Sequence, residues 1–167
     1  MNSAAGDIAA AFVNARRNWK TLPEYPGERP SDLRSAYVIQ DAALADWNRP
    51  IGGWKVGKIN PPMSDELGAN RLVGPVFADT VQREGQDSAQ FPIFAGGFAA
   101  IEAEFMLRLA PQEGPIPATR EAAMDWVDEV RIGLEVASSP YAAINVDGPC
   151  VTVSDHGNNA GLLLGAC

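Results

Sequence analysis

Two kinds of hydrophobic spacing divide this chain. Up to about residue 50 the apolar residues recur every three or four positions, the signature of amphipathic helices. Ala4 to Lys20 reads as one such helix, with Ile8, Phe12 and Trp19 on its apolar face and Arg16 and Arg17 near its end. A Pro/Gly-rich link, Leu22 to Pro30, follows. Ser31 is positioned to cap a second helix, SDLRSAYVIQDAALADWN, striped by Leu33, Tyr37, Leu44 and Trp47 and ended by Pro50 and Gly52–Gly53.

Beyond Gly53 the period drops to two and the elements shorten. WKVGKI, RLVGPVFADTV, IEAEFMLRLA and RIGLEVASS read as strands between turn signals, VTVSD as another and AGLLLG as a last short one. Between them, after the proline-rich APQEGPIPA, Thr119 is placed to cap a third helix, TREAAMDWVDEV. The pattern predicts an α+β fold: a helical part over residues 1–50 and a β-rich body over 51–167. An apolar final strand predicts either a central place in the sheet or cover from another segment.

Composition narrows the function. The net charge of −8 disfavours nucleic acid, which needs a basic surface. No apolar run is long enough to cross a bilayer and the N-terminus lacks a basic leader, so a cytoplasmic protein is expected, with Cys150 and Cys167 as reduced thiols. The sole histidine is His156, which rules out a His-rich zinc site within one chain. There are three lysines, and two of them, Lys55 and Lys58, fall in GWKVGKI. Lys58 reads as surface charge.

One strand poses a chemical question. In IEAEFMLRLA the alternation puts Glu102 and Glu104 on one face, roughly 7 Å apart. Like charges so placed need water or a cation between them. Glu135 adds a third carboxylate, alone in the apolar run IGLEVA, where it is costly unless paired or ligated. Three carboxylates on neighbouring strands suit a hard divalent ion such as Mg²⁺ or Mn²⁺.

GWKVGKINP, LVGPVFAD, IEAEFML, IGLEVASS and VSDHGNNAGLLLG, in that order, resemble the fumarylacetoacetate hydrolase superfamily, nearest its 2-keto-4-pentenoate hydratase and 4-oxalocrotonate decarboxylase branch. The resemblance covers about Ser31 to Gly165 and implies a mixed β-roll with a small helical N-terminal part. It implies a metal held by Glu102, Glu104 and Glu135, and catalytic roles for Lys55 and Asp79. The substrate loop falls on Asp155, His156 and Asn158. The implied substrate is a small 2-oxo acid, and the implied reaction is hydration, decarboxylation or C–C hydrolysis. The hydrolase branch resembles proteins with a His/Glu pair on an N-terminal lid helix. No histidine precedes His156 here, so hydrolysis is disfavoured. Asn158 stands near a position where the familiar branch has serine, and the roll's last strands have no counterpart after LLLG. Loss of turnover in a binding or assembly protein is therefore a second expectation. A homo-oligomer or a complementing chain is also implied.

Overall fold

The computed structural model describes residues 3–85, 88–111 and 113–166. Cys167 lies outside them. Cys150 is a buried free thiol.

The chain opens with two helices, α1 (Ser3–Arg17) and α2 (Leu33–Trp47). The cap of α2 is Asp32 rather than Ser31: the helix starts at Leu33, and the Asp32 carboxylate accepts from the Ser35 amide at 2.7 Å. Trp19 is not on the helical stripe. Its backbone turns left-handed after α1, and the indole is exposed and stacked on Phe94. Small residues form much of the buried contact: Ala5 and Ala9 on α1, Ala36 and Ala43 on α2. They let the helix backbones approach closely, which leaves Leu33, Tyr37, Leu44 and Trp47 only half-buried. Gln40 is buried on α2 and donates to the carbonyls of Val153 and Val73.

The body holds an antiparallel ribbon of β1 (Ile51–Lys58) and β2 (Arg71–Phe77), with α3 (Met63–Leu67) between them. A four-stranded mixed sheet carries the rest: β3 (Val81–Arg83), β4 (Phe98–Leu109), β5 (Val127–Ser139) and β6 (Asn159–Leu164), in the order β3-β6-β5-β4. β6 runs parallel to β3 and antiparallel to β5. The apolar AGLLLG segment thus takes the central place that its composition calls for.

Two elements differ from the sequence pattern. The helix expected over TREAAMDWVDEV is confined to α4 (Arg120–Met124), capped by Thr119. From Val127 on, the chain pairs with the far end of β4, Leu109 opposite Val127 and Arg108 opposite Glu129. The alternation of Val130, Ile132 and Leu134 extends back into that segment, and tertiary pairing overrides the local helical preference. The strand expected at VTVSD is instead α5 (Pro149–Ser154), entered from Gly148 with proline in its first turn. Cys150 to Ser154 are all buried, so this short apolar run has no polar face to reveal its period.

α1, α2, Tyr25, Tyr141, Ile144 and Val151 share one apolar cluster, and α2, β2 and α5 share a second through Ala36, Leu72 and Val153. The helices therefore pack onto the body. The far side of the sheet is open: Ile101, Phe105 and Leu107 on β4 and Val130, Ile132 and Leu134 on β5 are exposed, Phe105 to 76%. Among the described residues no helix is long and apolar enough to cross a membrane.

Candidate metal centre

The register of β4 against β5 assembles the acidic cluster. Glu102 stands opposite Glu135, and Glu104 opposite Gly133. The glutamates share the sheet face opposite Ile101 and Phe105. Each offers an oxygen, and these oxygens lie within 4.8 Å of one another. Glu135 is 2% exposed and Glu104 is half-buried. Desolvation, then repulsion from Glu135 and Glu102, holds the Glu104 carboxyl above its usual range, while Lys55 opposes the rise.

A cation does approach the acids. Lys55, on β1, reaches over from the ribbon to place Nζ 3.0 Å from Glu135 Oε1. Its side chain is 12% exposed, so the ion pair is largely shielded from water. Nζ also donates to Asn158 Oδ1 at 3.2 Å. Asn158 Nδ2 donates to Asn145 Oδ1 at 2.9 Å, and Asn159 Nδ2 donates to Glu135 Oε1 at 2.8 Å. The centre is thus three carboxylates, one ammonium and a chain of amides.

The loop bearing Asn158 is tightly built. His156, Gly157 and Asn158 are all left-handed, at φ 57°, 63° and 57°. β2 closes against it at Gly74, where a Cβ would lie 2.3 Å from the His156 carbonyl oxygen, so only glycine fits. Asp155 anchors the loop from below. Its fully buried carboxylate accepts from Arg16 Nε at 2.6 Å and Nη2 at 2.8 Å. The same guanidinium donates to the carbonyls of Ser138 and Asn159. Burial pushes the Asp155 carboxyl up and Arg16 draws it back.

His156 is fully buried, with edge contacts to Trp47 and Phe77. Neither ring nitrogen has a hydrogen-bond partner among the described residues. Burial first, then Arg16 and Arg49, depresses its pKa well below the ordinary histidine value, so the ring is neutral.

Of the residues singled out in the sequence, Lys55, Glu102, Glu104, Glu135 and Asn158 come together. Asp155 and His156, in the same loop, turn their side chains instead to Arg16 and to Trp47 and Phe77. Asp79, in a 3₁₀ turn after β2, is paired with Arg49, and no hydrogen bond or ion pair among the described residues joins it to the glutamates. It borders a cavity of about 220 Å³ that Asn159 also lines. Lys58 is exposed. Three contributors are not singled out by the sequence: Arg16, Asn145 and Asn159. Asn159 lies within the quoted VSDHGNNAGLLLG motif and Arg16 sits one turn after Phe12 on the buried stripe of α1, while Asn145 leaves no trace.

The all-oxygen donor set, with mutual repulsion to relieve, fits a hard divalent cation better than a soft one. Glu102, Glu104 and Glu135 would hold it, with Lys55 beside them.

No protein-family profile matches the chain, and no curated protein matches it. Solved structures do. Two of 4-oxalocrotonate decarboxylase from Pseudomonas putida G7, one complexed with magnesium and adipate and one with calcium and acetate, align over 99% of this chain with TM-scores of 0.70 and 0.69. Identity is 18% and 19%, so the likeness is one of fold. It is the fold that the sequence motifs imply. The chain spans 63% and 62% of the length of those two proteins.

Proposed function

We propose that this chain is a divalent-metal-dependent lyase acting on a small 2-oxo acid, with hydration of a 2-oxo-dienoic acid such as 2-keto-4-pentenoate as its reaction. The observation that carries this reading is the meeting of Glu102, Glu104 and Glu135 within 4.8 Å, with the Lys55 ammonium 3.0 Å from Glu135. Residues 51–167 supply the chemistry, and the helical part over 1–50 braces the Asp155–Asn158 loop through Arg16.

A bound divalent ion supplies Lewis acidity toward the carboxylate and 2-oxygen of such a substrate. Lys55 Nζ, steered by Glu135 and Asn158, is placed to donate toward negative charge developing on a substrate oxygen. Asn158 touches the substrate with the amide that its neighbour Asn145 orients. Asp155 and His156 act from behind, by fixing the loop. Asp79 is the second proton carrier, working at carbon from the cavity side. Decarboxylation stands beside hydration, because both use the same enolate sink and the aligned solved proteins are decarboxylases. C–C hydrolysis lacks its lid histidine.

The expected homo-oligomer has a surface to use. The open β4–β5 face presents only apolar side chains between Ile101 and Leu134, so a second copy of it is self-complementary.

The test is turnover with Mg²⁺ of the dienol of 2-keto-4-pentenoate, followed by ultraviolet absorbance, beside release of CO₂ from 4-oxalocrotonate. Loss of the dienol band that disappears in Lys55→Met supports the hydratase. CO₂ release alone makes the chain a decarboxylase. Neither reaction in folded, metal-loaded protein overturns the enzyme reading in favour of an assembly role.

A further inference from the structure

The cavity beside Asp79 has walls that the glutamate centre does not explain. Two stacked aromatic pairs line it, Trp19 with Phe94 at 5.0 Å and Trp47 with Phe77 at 5.7 Å between ring centroids. Its two cations are Arg16 and Arg49. Arg16 is committed, because Nε and both amino nitrogens already donate to Asp155 and to backbone carbonyls. Arg49 is not. It lies over the Phe77 ring at 4.6 Å and the Trp47 ring at 5.1 Å, and its one hydrogen-bond partner among the described residues is Asp79, through Nη2.

The Arg49–Asp79 pair is asymmetric. The guanidinium is 25% exposed and the carboxylate 62%. An ion pair with one partner so wet is weak and exchangeable. The guanidinium stays where it is because two aromatic rings hold it, while the aspartate is free to swing out. A carboxylate delivered by a ligand would take its place with bidentate geometry, and the aromatic walls would accept a flat body behind it. A volume of about 220 Å³ admits a single six-membered ring with a carboxylate.

We propose that this cavity binds a small planar aromatic carboxylate, with Arg49 taking the carboxylate in place of Asp79. The site shares Asp79 with the proposed function, but its test is of binding alone and needs no divalent ion, so failure of the metal reading leaves it standing.

The probe is benzoate, followed by intrinsic tryptophan fluorescence, since Trp19 and Trp47 both line the cavity. Benzoate is expected to change the emission saturably, and benzyl alcohol, which lacks the charge, to do so far more weakly. Arg49→Gln should weaken benzoate binding by about tenfold or more. Asp79→Asn should tighten it several-fold, because the competing carboxylate is gone. That gain in affinity has no explanation in lost structure, and Arg49→Lys, which keeps the charge but not the fork, should fall between wild type and Arg49→Gln. The absence of saturable binding overturns the proposal. So does an affinity unchanged in Arg49→Gln with native circular dichroism, or unchanged in Asp79→Asn. Should Arg49→Gln fail to fold, Asp79→Asn and Arg49→Lys decide the matter.

Discussion

Lys55 Nζ lies 3.0 Å from Glu135 Oε1, joining a lysine on the β1–β2 ribbon to a carboxylate in the middle of the four-stranded sheet. Both side chains are shielded, so the pair is sensitive to losing one member. Lys55→Met leaves three carboxylates facing one another without their cation. The expected loss is about 3 kcal/mol in urea unfolding of the metal-free protein. Mg²⁺ should restore part of it, because a divalent ion relieves the same repulsion. A stability unchanged by the substitution would mean that the ammonium does not sit on the glutamates in solution.

Arg16 and Asp155 make the second shielded ion pair, across a sequence separation of 139 residues. Here geometry matters more than charge. The guanidinium donates twice to the carboxylate and to three carbonyls besides, those of Ser138, Asn159 and Asp155 itself. Arg16→Lys keeps the charge and loses the fork, so it should still cost about 3 kcal/mol. Thermal unfolding of the variant beside Arg16→Met would show the two nearly equal. Full rescue by lysine would contradict this.

His156 predicts a pH dependence. Its folded pKa lies well below the ordinary value of 6.5, chiefly through burial. The unfolded chain therefore binds a proton that the folded chain refuses once the pH falls below about 6.5. Stability contributed by the neutral ring is present above that pH and lost as the pH falls toward the folded pKa, by up to about 1.4 kcal/mol per pH unit. His156→Asn tolerates the left-handed backbone, and it should remove this slope between pH 7 and 5. Chemical denaturation of wild type beside His156→Asn at several pH values reads it as a difference, since the raised carboxyls of Glu104 and Asp155 are common to both proteins.

Much of the site was legible from spacing. The alternation over IEAEF set Glu102 and Glu104 on one face, and the apolar run around Glu135 marked a carboxylate that needed company. What spacing does not give is which face of a strand meets the rest of the protein. Here the glutamate face turns toward Lys55 and the apolar face is open. The Arg16–Asp155 pair and the Asn145–Asn158 contact depend on segments far apart in the chain or on loop geometry, and neither leaves a periodic trace. α5 departs from the expected strand for a related reason: a run buried on every side has no period. The third helix is shorter than its pattern because sheet pairing with β4 outweighs the local preference of DWVDEV.

The open sheet face has a consequence for solution behaviour. Phe105 is 76% exposed at its centre, beside Ile132 at 67%. If a second copy covers this face, Phe105→Lys should shift sedimentation velocity profiles toward the monomer while leaving circular dichroism native. An unchanged oligomer distribution would place any self-association elsewhere on the surface.

The most direct measurement is a Mn²⁺ titration by electron paramagnetic resonance, with and without oxalate as a mimic of an enolised 2-oxo acid, on wild type and Glu102→Gln. A working centre predicts stoichiometric Mn²⁺ binding, tightened by oxalate and weakened at least about tenfold in a natively folded Glu102→Gln protein. Mn²⁺ that stays free beside folded wild-type protein, or that binds Glu102→Gln equally well, would contradict the assignment of Glu102, Glu104 and Glu135 as a metal centre.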